Sequence, residues 1–264
     1  MRVAIQHQKG DKLVLRLHNH HVDFVNSLRR AIMNDISVVA ISTVHITTNN
    51  SVMADEFIAH RLGMIPLVCP DKEKDDARLD QPFELDVRGP CLVLAKHLQH
   101  PALRLVDPHI PLVLLGQDQA LRLKAHVRWG TGSEHARFSP VCPVFYRFIP
   151  RIQVDDIEDW DALRTVCPRG VFGSKPGDVD ADRCTYCGEC TQRQRTEARV
   201  RVSPQEGEFE FTVEGTGVLP PLEVVRAALR VLRGKARALE AAVRALGDAP
   251  PAATDEICAG PGSA

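Results

Sequence analysis

The sequence has almost no net charge and no long apolar run. Its 33 Lys and Arg against 34 Asp and Glu leave a formal charge of -1 over 264 residues, which excludes the polycationic surface of a bare nucleic-acid binder. Any role near DNA is therefore indirect or local. No run of about 18 apolar residues occurs, so no transmembrane helix is expected. No basic segment followed by an apolar one opens the chain, so no secretory leader is expected. The expected compartment is intracellular and reducing.

Catalytic signatures are missing as well. The acidic residues do not form the closely spaced aspartate set that holds paired magnesium ions for nucleotidyl transfer. "GTGSEH" at 130–135 lacks both the G-x-G-x-x-G pattern and its strand-to-helix setting. His60, His97 and His135 lack ligand spacing with one another and are expected to pack or to cap.

What is present is a globular composition, 44% apolar and 25% charged, long enough to bury a substantial core as one large domain or two smaller ones. "RVAIQ" and "DKLVLRL" alternate around "KGD", which predicts a half-buried hairpin. "HVDFVNSLRRAIMND" follows as a helix with Val25, Leu28 and Ile32 on one face and Arg29 and Arg30 on its flank. "SVVAISTVHITT" reads as a strand. "MADEFIAHRLG" reads as a short helix ending at Gly63, before "MIPLV" and the charged loop "CPDKEKDDARLDQP". Between about 83 and 150, alternating runs broken by Gly and Pro predict a mostly β lobe. "VDDIEDWDALRTVC" is expected to form a helix, and "ARVRVSP" and "EFEFTVEG" resume the strand pattern around "QEGE".

The most telling predicted element is "PPLEVVRAALRVLRGKARALEAAVRALGD". Its prolines tolerate only the first turn of a helix and Gly247 closes it. Leu222, Val225, Leu229, Leu232, Ala236, Leu239, Val243 and Leu246 alternate at spacings of three and four, the rhythm by which one helix packs lengthwise on another. At 1.5 Å per residue the seam is about 37 Å long, more than a small domain's own layer usually covers. Part of it is open to packing on the chain's own sheet; the remainder calls for another polypeptide. The tail at 248–264 has little to pack and is expected to be disordered.

Eight cysteines in a reducing compartment do not suggest a disulfide framework. Cys69, Cys91, Cys142 and Cys258 are scattered and read as ordinary thiols. Cys167, Cys184, Cys187 and Cys190 are gathered as C-x16-C-x2-C-x2-C, with Pro168 after the first. Zinc sites usually collect two separated C-x2-C knuckles, whereas three cysteines at three-residue intervals can wrap three irons of a cubane while a remote Cys-Pro takes the fourth. The pattern resembles half of a bacterial-type ferredoxin module. A [4Fe-4S] cluster is the favoured cofactor, with zinc or no metal as alternatives. No flavin or nicotinamide fingerprint accompanies it, so a structural clasp is favoured over electron transfer.

Taken together, these segments resemble a known family. "VNSLRRAIMNDISVVAISTVHITTNNSVMADEFIAHRLGMIPL", residues 25–67, is similar to the signature region of the α-like subunits of cellular RNA polymerases: the archaeal D-type subunit, the third-largest subunit of eukaryotic RNA polymerase II, and the large α-like subunit shared by RNA polymerases I and III. "LRLKAHVRWGTGSEHARFSPV", "CPRGVF" and "FTVEGTGVLPP" extend the likeness in order. It implies an α+β fold: a discontinuous α-subunit-type dimerisation domain at 1–50 and 200–247, and an inserted, mostly β domain at 51–199 carrying a ferredoxin-like cysteine region at 165–195.

The resemblance implies that the seam helix and the Val25–Ile32 helix pack on a small L-like or second α-like subunit. It makes Arg29, Arg30, Glu56, His60 and Arg61 candidates for contact with the second-largest subunit, the largest subunit also being docked in the assembled enzyme. DNA is then met only through the complex, and no membrane is involved. Against the family pattern, neither the mobile DNA-binding module of bacterial α subunits nor the separate zinc motif that some relatives carry after "IPLV" is expected in this sequence. "DEFIAHRLGMIPL" leans toward RNA polymerase II, with the polymerase I and III subunit or the archaeal D-type subunit as alternatives. The location is the nucleus in a eukaryote and the cytoplasm in an archaeon. The expected function is a non-catalytic assembly platform. The competing classes are a ferredoxin-like redox carrier and an independent homodimer joined through the same seam.

Overall fold

A computed structural model describes residues 2–69, 77–155, 159–192 and 200–247. In chain order the elements are β1 (Arg2–Lys9), β2 (Lys12–His18), α1 (Val22–Asn34), β3 (Ser37–Asn49), α2 (Asp55–Gly63), β4 (Leu67–Val68), β5 (Phe83–Arg88), β6 (Cys91–Leu94), β7 (Arg104–Leu105), β8 (Pro111–Leu115), β9 (Ala120–Thr131), β10 (Val141–Val154), α3 (Trp160–Val166), α4 (Glu189–Gln192), β11 (Val200–Gly215) and α5 (Pro221–Gly247). Three apolar cores organise them.

The first core lies on one face of a four-stranded antiparallel sheet ordered β1-β2-β11-β10. Leu13, Leu15 and Leu17 stand directly opposite Val213, Phe211 and Phe209, and all six are buried. Strand alternation puts them on one face, against the apolar stripe of α1 (Val25, Leu28, Ala31, Ile32) and the first turns of α5 (Val224, Val225, Ala228). Edge strand β1 is exposed throughout. Its Val3 and Ile5 pair with Leu17 and Leu15 and so point to the helix-bearing face, yet they remain 60% and 54% exposed. The half-burial expected of this hairpin holds for β2 alone, because none of the described helices reaches over β1.

The second core fills a lobe built on the sheet β3-β9-β5, the antiparallel pair β6-β8 and α2, around Ile41, Ile58, Leu62, Phe83 and Leu123. The two lobes share β3. Val38 and Ala40 belong to the first core and Val39 and Ile41 to the second, because the continuous apolar run "VVAI" has something to bury on both faces.

The third core is small. Trp160, Leu163, Val171, Phe172, Cys184 and Val200 pack with Ile152, Val154 and Val202 at the far ends of β10 and β11.

This arrangement corrects the boundaries drawn from sequence. A single insert at 51–199 does not describe the chain, because β10 returns to the first sheet along most of β11. The interruption is double: one lobe lies between β3 and β10, and a separate cysteine module lies between β10 and β11. The module is carried by the first sheet and not by the β lobe. The expected tail at 248–264, with Cys258, lies outside the described residues.

The segment joining β9 to β10 is the mortar between lobes. Ser133 donates its backbone N–H to Asn34 O at 3.1 Å, and the Arg137 guanidinium reaches Ile41 O at 3.0 Å and Ser42 O at 3.4 Å. Gly132 lies so close to the end of α1 that a Cβ there would stand 1.9 Å from Met33 O. A backbone carbonyl within a helix cannot swing away as a side-chain tip can. Gly132→Ala is therefore expected to cost about 3 kcal/mol, the upper end of overpacking penalties, read as a lowered urea midpoint at unchanged slope.

Candidate functional sites

Two places collect the residues singled out from sequence: the cysteine module and the surfaces of α1, α2 and α5. In the module, α3 is capped by the Asp159 side chain, which accepts from Ala162 N at 2.9 Å. It ends at Cys167. Gly170, at φ 60, turns the chain back. A 3-10 turn at Ala181–Arg183 then delivers Cys184, whose N–H bonds to Ala181 O at 3.0 Å. Tyr186 (φ 57) and Gly188 (φ 78) adopt left-handed backbone, which lets three cysteines at three-residue spacing curl toward one centre. The short α4 follows, with Thr191 Oγ1 donating to Gly188 O at 2.8 Å.

The structure brings Cys167, Cys184, Cys187 and Cys190 together around a cavity of about 150 Å³. Ile152, Val171, Phe172 and Val202 supply its apolar wall. Cys184 is buried, Cys167 and Cys190 are half-buried and Cys187 is exposed. Burial, followed by the other three thiols, pushes the Cys190 thiol above its ordinary range, as expected where sulfurs share a chamber. Among the described residues no three Cys, His, Asp or Glu side chains are close enough to cage one ion.

The module is tied to the outer face of the first sheet by residues that motif reading missed. Arg147 donates to both carboxylate oxygens of Glu210, at 2.7 and 2.9 Å. It also donates to Cys184 O at 3.1 Å and Asp182 O at 2.9 Å. Arg16 meets the Asp182 carboxylate at 2.9 Å. The bond to Glu210 is the main reason the Arg147 guanidinium is held even more firmly protonated than usual. The signal lay in the alternation of "VFYRFI": Arg147 sits between aromatic residues, at a position whose side chain faces away from the helices.

Helix α5 divides in two. Its first half belongs to the chain: Val225 is 7% exposed, and Leu222 and Leu232 pack partly on the first core. Lys235 reaches Asp35 at the end of α1 at 2.8 Å. From Arg233 to Ala245 every residue is exposed, Leu239 by 67% and Val243 by 58%. Leu229 is exposed by 42%, and Ala236 is also open. The Leu246 side chain lies outside those described. The uniform seam is thus corrected to a half seam. Val25, Leu28 and Ile32, expected at the partner surface, are buried in the chain's own core at 0%, 3% and 0%, because they form the apolar stripe with which α1 packs on the sheet.

The charged set splits between lobes. Arg29 lies on α1, bonded to Asn26 Oδ1 at 3.3 Å and Met33 Sδ at 3.3 Å, and Arg30 is exposed beside it. Glu56, His60 and Arg61 are exposed on α2, where Arg61 donates to Pro111 O. The same lobe carries an apolar patch absent from the sequence-based set, with Val52 91%, Phe57 68% and Leu114 65% exposed. Together with Met53, Ala54 and Val113 these residues line a shallow hollow.

The sheet-and-helix unit is thus interrupted twice, by the β lobe and by the cysteine module, and leaves half of α5 exposed among the described residues. Residues 39–140 match the family described as "RNA polymerase Rpb3/RpoA insert domain", a span that begins in the shared strand β3 and stops just before β10. DNA-directed RNA polymerase II subunit rpb3 of Dictyostelium discoideum is 31% identical over 267 residues, covering 85% of this chain and 88% of that one. DNA-directed RNA polymerase subunit Rpo3 of Thermococcus kodakarensis is 31% identical over 239 residues, covering 86% and 92%. The DNA-directed RNA polymerases I and III subunit rpac1 of Dictyostelium discoideum is 29% identical over 272 residues, covering 87% and 78%. The chain belongs to this family of α-like subunits of DNA-directed RNA polymerase, and its role is in transcription.

Proposed function

We propose that the chain is a non-catalytic assembly platform that pairs with a small L-like or second α-like subunit and docks the two large subunits. The observation that carries this reading is the exposure of Leu239 and Val243 on a helix whose first half is sealed into its own core. An amphipathic rod of about four turns left in water is an association surface. Val3 and Ile5 on edge strand β1 leave a further apolar area on the same face of the sheet. "DEFIAHRLGMIPL" favours the RNA polymerase II complex, hence a nuclear location. Affinity purification of the tagged chain from its source tests the platform: one small and two large polymerase subunits are expected to co-purify, and recovery of the chain alone sinks it.

The large-subunit surface is best placed on α2 and its neighbours, where Phe57, Val52 and Leu114 give an apolar centre and Glu56, His60 and Arg61 a charged rim. Phe57→Asp is expected to weaken docking of the second-largest subunit by about a hundredfold, as loss of an aromatic anchor does, with small-subunit pairing unchanged. A pull-down with each subunit separately reads both.

For the cysteine module the favoured group is a [4Fe-4S] cluster. Four thiols line one chamber with apolar walls. Three of them recur at three-residue intervals with a remote Cys-Pro as the fourth, a spacing that suits the separate corners of a cubane better than the paired C-x2-C knuckles usual around zinc. When bound, the cluster braces the module by joining its two segments. Cys167 supplies one ligand and Cys184, Cys187 and Cys190 the others. Iron and sulfide analysis of anaerobically purified protein tests it, and one zinc per chain is the contrary result.

A further inference from the structure

We propose that Arg147 is a positioning residue for the cysteine site: it fastens the backbone of Asp182 and Cys184 to the sheet, so that the ligand loop is set before any metal arrives. The inference deepens the metal-site reading above and rests on it.

Three charged side chains lie in register across neighbouring strands. Glu210 stands opposite Arg147 on β10 and opposite Arg16 on β2, and alternation turns all three to the face away from α1 and α5. They are mostly covered, with side chains 27%, 19% and 16% exposed for Arg147, Glu210 and Arg16. Half-buried ion pairs contribute little net stability, and apolar residues in their place often do as well. Net stability alone therefore gives little reason for three charged residues here, and a task that apolar residues cannot perform gives one.

That task is visible in the hydrogen bonds. One edge of the guanidinium is occupied by the Glu210 carboxylate, and the remaining N–H groups reach the two carbonyls that frame the entry to the cysteine triplet. A planar fork with five donors can hold a carboxylate and two carbonyls at once; a lysine ammonium cannot do so in the same geometry. The Arg16–Asp182 pair steadies the same turn from the adjoining strand. Arg147 also sets a permanent positive charge beside Cys184, where four ligating thiolates would accumulate negative charge. Outer-shell groups of this kind commonly change metal retention by about 10–100-fold.

The test uses the full-length chain and its Arg147→Gln and Arg147→Lys variants, with Arg151→Gln as a control on the exposed surface of the same strand. Two readouts are needed. In metal-loaded protein, the rate at which a chelator bleaches the visible absorbance is expected to rise about tenfold in Arg147→Gln, less in Arg147→Lys and not at all in Arg151→Gln. In metal-free protein, amide exchange over residues 182–188 is expected to rise by a similar factor in Arg147→Gln, with α1 and β9 unchanged. Changes below about threefold in both readouts, or faster exchange throughout the chain, overturn the assignment. A chain that takes up no metal sinks the metal-site reading by itself, and the exchange measurement still decides whether Arg147 holds the loop.

Discussion

A chain carrying Leu239→Asp and Val243→Asp is expected to lose its pairing with the small α-like subunit proposed above, while its own unfolding midpoint stays where it was. Both halves of that result follow from exposure. Leu239 and Val243 are 67% and 58% exposed and four residues apart, hence on one face of α5. Neither belongs to any of the three cores, and substitutions at such surface positions change stability by about 0.5 kcal/mol or less. In a complex they would lie in the middle of the helix-helix contact, where each anchor contributes about 2 kcal/mol or more. The combined loss of about 4 kcal/mol corresponds to roughly a thousandfold in Kd. Light scattering after size exclusion of the co-expressed pair measures it. Undiminished pairing removes α5 as the docking surface, and an unsubstituted chain that is already a dimer alone favours self-association. Val224→Asp makes the contrast: Val224 is fully buried, so an unpaired carboxylate there is expected to unfold the chain instead of merely isolating it.

The elements of the first sheet and its helices were legible because each obeys one periodicity with one buried face. The alternation of "DKLVLRL" and "EFEFTVEG" matches a sheet covered on one side, and the prolines and Gly247 bracket α5. The seam was legible only as a seam. A spacing of three and four shows that one stripe of a helix is apolar; what lies against it depends on how far the sheet extends beneath, and that is settled by strands remote in sequence. The same gap explains Val25, Leu28 and Ile32, whose stripe suits a partner and the chain's own sheet equally well.

The lobe boundary failed for a different reason. "VVAI" in β3 is apolar on both faces, and periodicity cannot announce that the two faces serve different cores. β10 reads as part of the inserted lobe because its alternating run follows those of the lobe after only a short Gly- and Pro-containing break, whereas its pairing partner β11 lies beyond the whole cysteine segment. Once that pairing is known, the cysteine module can only be an excursion from the β10-β11 hairpin, and residues such as Arg147 and Glu210 acquire a purpose that no local motif conveys. The cysteines themselves were recognised because thiol spacing is a short-range property. The ladder beneath them is long-range and was not.

The first sheet consequently works as a partition. Leu15 and Leu17 face the helices, and Arg16 between them faces the cysteine module; Phe209 and Phe211 flank Glu210 in the same way. Replacing Cys184 and Cys187 together with serine should therefore be felt on one side only. On the [4Fe-4S] reading proposed above, two of four ligands are lost, and iron is expected to fall from about four atoms per chain to below about one, with loss of the visible absorbance. Cys184 is also a member of the third core, 8% exposed beside Trp160 and Phe172, and a hydroxyl placed there without a partner costs about 1–3 kcal/mol. Amide exchange over residues 160–192 is expected to accelerate accordingly. Pairing through α5 should change by less than about twofold, since the sheet is held from the other face by Leu13, Phe211, Val213 and α1, which belong to the first core and not to the third. Loss of pairing together with the iron would show that the partition transmits strain from one face to the other.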